Sequence, residues 1–401
     1  MSFRLPKISC PLQRDKDISD GWPQTYEKRN YLTDQLFKGG TMERRTFLKQ
    51  AGIGSATAAA ALAVGAPSVI AAPKIQWTAT SFWNPKIKIM FDMAKQFCED
   101  VKELTDGQFE IKLYGGGELV PPPGAFDAVS KGTVQMGTGS PYYWAGKNTA
   151  FNWFGSIPFG MNAQSINSWF YEGNGQTLMN ELYGQFGLVP RIFGNSGMQM
   201  GGWFRKKINS LEDLKGLKMR IGSIAGRVLS EIGVTTVMVP PEEIFPSLER
   251  GVVDAAEFVG PIHDILLGLY KVAPYYYTPG WHESGPTLDV FFNKKAYDEL
   301  PKNYQKILDV VSGNLNVRTL AAFDAQSSTA LNTLIKDHKV EMQVFPDDVI
   351  KKLKEISKAV IAEEAKKDPF AAKVHEDYVA FQAKTAGWGK MTEKVYWNTM
   401  A

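Results

Sequence analysis

From Ile75 onward, short apolar strands alternate with stretches whose apolar residues recur at helical spacing, and few folds accommodate that alternation. Ile75–Ser81 reads as a strand. Residues 85–105 read as a helix on the stripe Ile87, Met90, Phe91, Ala94, Phe97, Cys98, Val101 and Leu104. Phe109–Tyr114 reads as a strand, 125–131 as a helix and 135–140 as a strand. After an aromatic stretch (Tyr142, Tyr143, Trp144, Phe151, Trp153, Phe154) the pattern resumes: strand 218–222, helix 225–232, strand 235–239, a helix that Pro241 opens, and strand 255–259. Beyond Pro301 the pattern is mainly helical, broken at 340–345. This order implies an α/β fold on mostly parallel sheet. One echo runs through it. Phe126, Val129, Gly132, Val134 and Gln135 are matched, 119 positions later, by Phe245, Leu248, Gly251, Val253 and Asp254. The echo implies two similarly built lobes, each with its own sheet, around a cleft that a hinge can close.

Residues 42–72 have the form of an export signal. Arg44 and Arg45 precede Phe47, Leu48 and Lys49, and a Gly- and Ala-rich run leads to Ala72, which resembles the twin-arginine signal. The run is poor in the Leu, Ile and Phe that a membrane anchor needs. Residues 1–41 are polar and lack a core pattern. Met42 makes a natural start, so 1–41 reads as a disordered or mis-called extension and 73–401 as the two-lobed domain. Ten of the 45 basic and six of the 42 acidic residues fall in 1–72, leaving 35 against 36. A near-neutral exported domain without a basic block is not a nucleic-acid binder. Cys10 leaves with the leader, so Cys98 has no internal partner and belongs to the core stripe.

The usual catalytic motifs are missing from the sequence. There is no Gly-x-Ser-x-Gly, His-Glu-x-x-His, phosphate loop or Cys-x-x-Cys, and His282 beside Glu283 has no visible third partner. This points away from an enzyme and toward a receptor. Arg220 sits between the apolar Met219 and Ile221, so in a strand it points opposite to both. A guanidinium held there can grip a carboxylate with two parallel hydrogen bonds; the alternative is a salt bridge within the protein. Glu257 and Glu283 stand in apolar or aromatic settings, where a carboxylate needs a cation or a proton. Two carboxylates and an amide oxygen make a hard site suited to Ca²⁺ or Na⁺, unless one Glu pairs with Arg220.

Segments 140–146, 194–205, 210–222, 251–261 and 279–286 together resemble the solute-binding proteins of tripartite ATP-independent periplasmic (TRAP) transporters, of the DctP type. The stretches Glu257 to Pro261 and Trp281 to Glu283 resemble the branch that binds 2-oxo and 2-hydroxy monocarboxylates with a metal ion. The resemblance covers essentially all of 73–401. It implies a periplasmic receptor that delivers pyruvate, a longer 2-oxo acid or lactate to membrane permease subunits. Receptors for a dicarboxylate or sugar acid, or a periplasmic enzyme on the same scaffold, are the alternatives. Carried over residue by residue, Arg220 clamps the ligand carboxylate. Glu257, the main-chain carbonyl of Phe258, Glu283 and Gln199 hold a Na⁺ or Ca²⁺ ion. Tyr142 or Tyr143 can donate a hydroxyl to the ligand, and Phe82 or Trp83 can wall the pocket, although aromatics also serve as core. The closing region carries apolar Val349, Ile350, Leu353, Ile356, Val360 and Ile361, then Phe370, Val374, Tyr378, Phe381, Trp388 and Trp397. That face implies either a homodimer, as in some members of the branch, or helices that wrap back over their own lobes.

Overall fold

The computed structural model describes residues 74–400, so the extension 1–41 and the signal 42–72 lie outside the described residues. Two sheets form. The first contains β1 (Ile75–Ser81), β2 (Phe109–Tyr114), β3 (Met136–Gly139), β4 (Leu188–Asn195) and β10 (Thr287–Asn293), in the order β2-β1-β3-β10-β4. The second contains β5 (Gly202–Phe204), β6 (Lys218–Arg220), β7 (Thr235–Val237), β8 (Ala255–Ala256), β9 (Tyr275–Thr278) and β11 (Glu341–Val344), in the order β11-β9-β5-β8-β6-β7. Each is more mixed than the sequence implies. Strands β2, β1 and β3 are parallel, as are β7, β6 and β8, but β10 and β5 enter antiparallel. Both are strands that arrive from the other sheet, and a chain returning across the molecule pairs in the opposite sense.

The echo is structural. Gln135 and Asp254 stand just before β3 and β8, the strands that flank β1 and β6 in the same way. Gln135 Oε1 accepts from Thr78 N at 2.9 Å while Gln135 N donates to Thr78 O at 2.9 Å. Asp254 Oδ2 accepts from Lys218 N at 2.9 Å while Asp254 N donates to Lys218 O at 2.7 Å. In each lobe one polar side chain thus closes the ladder at a strand start, where a backbone donor needs a partner. Phe126, Val129, Leu248 and Val253 behind them are core.

Strand β10 is buried along almost its whole length, and Phe291 and Phe292 fill the two opposite faces of its sheet. In the other lobe Trp203 stacks on Tyr276 with centroids 3.9 Å apart. Cys98 is buried, its thiol pushed up to about 12 by burial and by neighbouring Glu99.

The helix expected over 85–105 is Met90–Leu104; 84–89 is a loop, and Asp92 reaches back to cap Ile89 N at 3.3 Å. Strand β8 stops at Ala256 rather than 259, because the next carbonyl, Glu257 O, is taken by the Arg220 guanidinium in place of a ladder partner. The 35-residue helix Lys302–Lys336 packs on β4 and Met90–Leu104 of the first lobe and on helix Pro261–Leu267 of the second. Helix Asp347–Ala365 lies on Ser223–Ser230 of the second lobe, and Pro369–Met391 returns to the first. There Tyr378 OH accepts from Met161 N at 2.7 Å, and Trp169 Nε1 donates to Asp377 at 2.7 Å. As far as Gln382, whose Nε2 donates to Phe159 O at 3.1 Å, the closing helices wrap their own lobes. Trp388, Met391, Tyr396, Trp397 and Met400 beyond them are exposed.

Candidate functional site

In sheets with parallel strands, ligands sit beyond the carboxyl ends of the strands, where loops leave the sheet. Both lobes follow this rule toward one cleft. Phe82 follows β1, and Tyr142 and Tyr143 follow β3. Across from them Arg220 ends β6, and Glu257 follows β8. Gln199 and Glu283 come from elsewhere, on two of the segments that cross between lobes, the β4 to β5 and β9 to β10 connections. Those connections lie side by side. Gln199 N donates to Glu283 O at 3.2 Å, and Asn195 Nδ2 donates to Gly285 O at 2.9 Å. A Cβ at Gly280 would stand 2.1 Å from Gln199 O, so only glycine permits this approach.

The cleft has a volume of about 500 Å³, and all nine residues singled out from the sequence line it: Phe82, Trp83, Tyr142, Tyr143, Gln199, Arg220, Glu257, Phe258 and Glu283. Arg220 is 5% exposed and Glu257 6%. Arg220 Nη1 donates to Glu257 Oε1 at 2.6 Å and to Glu257 O at 2.5 Å, and its Nε reaches Val239 O at 3.5 Å. The ion pair that the sequence left open is therefore made. It uses Nη1 alone, and Nη2 makes no hydrogen bond among the described residues. The guanidinium also lies 5.6 Å from the Phe258 ring centroid. His282 Nε2 stands 3.4 Å from Glu257 Oε2. Burial opposes the charge on Glu257, but Arg220 and His282 outweigh it, and the carboxyl lies below its ordinary range.

Glu283 has the opposite balance. Burial and the Glu257 charge push it up to about 7, and its direct partner is Gln199 Nε2 at 2.7 Å. Gln199 Oε1 is buried without a partner. The cluster thus offers an orphaned amide oxygen and two carboxylates against the Arg220 guanidinium and the His282 imidazole. Oxygen donors in that ratio fit a hard cation such as Na⁺ or Ca²⁺, and no set of three or more His, Cys, Asp or Glu able to hold a metal occurs among the described residues. Tyr143 stacks on Phe82 with centroids 3.8 Å apart, and burial raises both Tyr142 and Tyr143, so their hydroxyls stay protonated donors.

Sequence reasoning missed the rest of the cleft. Asn84, Ile87 and the run Met238, Val239, Pro240, Pro241, Glu242 also line it. Their one sequence signal was the Pro-Pro pair that starts a helix. In sequence His282 stands out only as the neighbour of Glu283 without a third partner; in the structure its Nε2 faces Glu257.

Residues 80–368 match the DctP family, bacterial extracellular solute-binding protein, family 7. The monocarboxylate 2-oxoacid-binding periplasmic protein of a Nostoc species is 39% identical over 360 residues, covering 89% of this chain and 98% of that protein. A TRAP transporter solute-binding protein from Bordetella bronchiseptica is 39% identical with a TM-score of 0.79, covering 82% of this chain and 97% of that one. Its structure is a mixed-occupancy dimer with copurified calcium and picolinate. A TRAP periplasmic solute-binding protein from Pseudoalteromonas atlantica, with bound sodium and pyruvate, is 37% identical with a TM-score of 0.78, covering 81% and 99%. The two-lobed architecture, the family match and the relatives agree: this chain belongs to the DctP family of TRAP solute-binding proteins.

Proposed function

We propose that the protein is a non-enzymatic periplasmic receptor that captures a 2-oxo or 2-hydroxy monocarboxylate together with Na⁺ or Ca²⁺. It then hands the acid to the permease subunits of a TRAP transporter. The observation that carries this reading is the cluster at the lobe crossing: Gln199 Oε1, Glu257 and Glu283 beside Arg220 in one buried cleft. Gln199, Glu257, Glu283 and the Phe258 carbonyl would hold the cation, which supplies a Lewis-acidic centre for the acid's oxygens. Arg220 offers Nη2 to the carboxylate, and Tyr142 or Tyr143 donates a hydroxyl. A small acid has little area to bury, so such polar contacts must provide most of its affinity. Among the described residues Arg220 is the one basic residue lining the cleft, which favours a monocarboxylate over a dicarboxylate. The ligands named for the Nostoc, Bordetella and Pseudoalteromonas proteins support the same class.

Mass spectrometry of the metal and small molecule released from denatured purified protein tests this directly. A 2-oxo or 2-hydroxy acid with sodium or calcium is expected; a sugar acid or dicarboxylate overturns it. Recovery of a chemically altered acid after incubation would favour the enzyme reading. Export through Arg44 and Arg45 and cleavage near 72 belong to the same proposal, and normal export in a strain without the twin-arginine machinery contradicts them. The exposed Trp388, Tyr396 and Trp397 fit a second copy of the chain, in keeping with the Bordetella dimer. Light scattering should show a dimer that a chain ending at Thr385 loses; a monomeric wild type removes this part.

A further inference from the structure

The wall formed by Phe82, Trp83 and Ile87 is a loop, 82–89, that leaves β1 and enters helix Met90–Leu104. Its beginning is tied to its own lobe, where Phe82 N donates to Thr138 O at 2.9 Å and Trp83 O accepts from Gly116 N at 3.0 Å. Its far end is held from the opposite lobe. Nε2 of His263, on helix Pro261–Leu267, lies 3.0 Å from Lys88 O. Opposite a carbonyl that nitrogen must carry the proton and donate, which leaves Nδ1 bare, and Nδ1 is indeed buried without a partner. The same Lys88 carbonyl accepts from Met90 N at 2.6 Å, closing a three-residue turn centred on Ile89 at φ 59°, ψ −62°. This is the strained hand of the γ-turn, and Ile89 is a buried β-branched residue, the type least suited to positive φ.

Strained turns persist where their surroundings over-determine them. Ile89 is packed among core side chains, and the polar half of the constraint comes from the other lobe. Midway along the loop Asn84 Nδ2 donates to Glu242 Oε1 at 2.5 Å, a second tie across the cleft. The His263 ring also meets Phe258 edge-on, with centroids 5.8 Å apart. His263 therefore links the backbone beside Glu257 to the aromatic wall that faces it.

We propose that His263 is a positioning residue for the part of the ligand beyond its carboxylate: by holding the Lys88 carbonyl from across the cleft it fixes the Ile89 turn, and with it the side chains of Trp83 and Ile87. Selectivity for the ligand's tail is then set by a contact that never touches the ligand. The 2-oxo acid reading enters only through the choice of probe acids.

Two measurements on His263→Leu and His263→Gln test this. Gln can present a donor where Nε2 stands, and Leu cannot. In hydrogen exchange of the acid-free protein, peptides covering 82–90 should exchange faster in His263→Leu, with β2 and β4 unchanged, and His263→Gln should resemble wild type. In titration calorimetry with calcium, His263→Leu should bind 4-methyl-2-oxopentanoate about fivefold more weakly, the worth of one hydrogen bond, while pyruvate binding stays within about twofold. Unchanged exchange over 82–90, or equal loss for both acids, overturns the proposal. A wild type that binds neither acid sinks the ligand reading and leaves the exchange result to decide the role of His263.

Discussion

Arg220→Ala separates the two jobs given to that guanidinium. Without it Glu257 remains buried with His282 3.4 Å away as its nearest cationic candidate. Removing one partner of a buried ion pair costs about 3–5 kcal/mol. The loss has a ceiling, because Glu257 can take up a proton instead, and neutralising an ordinary carboxyl at pH 7 costs about 4 kcal/mol. The acid-free variant should therefore unfold with about 3–4 kcal/mol less stability in urea. Ligand binding adds a second loss, since Nη2 is the proposed carboxylate clamp. Truncating one side of a buried charged contact weakens association by about 2–4 kcal/mol, roughly 30- to 1,000-fold in Kd. Arg220→Lys keeps a charge near Glu257 and should lose less stability. A single ammonium cannot serve Glu257 and a ligand with the same planar fork, so its affinity should still fall. Isothermal titration with pyruvate and calcium, on variants shown to be folded by circular dichroism, reads the second effect. A folded Arg220→Ala with pyruvate affinity within about threefold of wild type refutes the clamp.

Glu257→Gln and Glu283→Gln should each lower both the cation retained per chain by elemental analysis and the affinity for the acid; full retention in both variants contradicts the oxygen site. In the first lobe, burial raises Asp289 to about 7, only partly offset by hydrogen bonds from Tyr183 and Trp144. A carboxyl raised on folding favours the folded state at low pH, and that contribution is lost as pH climbs from about 4 through 7. Asp289→Asn should therefore flatten the decline in urea stability between pH 5 and pH 8, and an identical slope in the two proteins rules this out. Walls of Phe82, Trp83, Ile87, Met238 and Pro240 leave room for an apolar tail. Three added carbons at about 0.8 kcal/mol each favour 4-methyl-2-oxopentanoate over pyruvate by up to about 2.4 kcal/mol, roughly 50-fold; tighter pyruvate binding argues against it.

The lobes were legible because their repeating units are local. A helix, a glycine turn and a polar residue before a strand recur at 126–135 and 245–254, and each unit fixes its own geometry. The crossing strands were not legible. Strand β10 is buried on both faces, with the charged Asp289 on the same one as Phe291, so its burial does not follow a polar–apolar alternation, and β5 is too short to show a period. Among site residues, Arg220, Glu257 and Glu283 stood out as charges in apolar company, a signal that survives without a fold. Residues such as Ile87, Met238 and Pro240 look like any core or turn residue, and only the approach of the two lobes makes them walls. The Lys88–His263 contact spans 175 positions and has no local signature at all.

Gln199 and Glu283 lie on paired connections between the lobes, whereas Trp83 and Ile87 stand on a loop of the first lobe and Met238 and Pro240 on a loop of the second. On the proposed reading, the fold divides recognition of the acid's head from recognition of its tail, with the head read at the pivot and the tail at the jaws. Cargo size can then drift through substitutions at 83, 87 and 238 without retuning how capture is converted into closure. A library confined to those three positions should yield receptors for different tails that still close on the same cation-bound head.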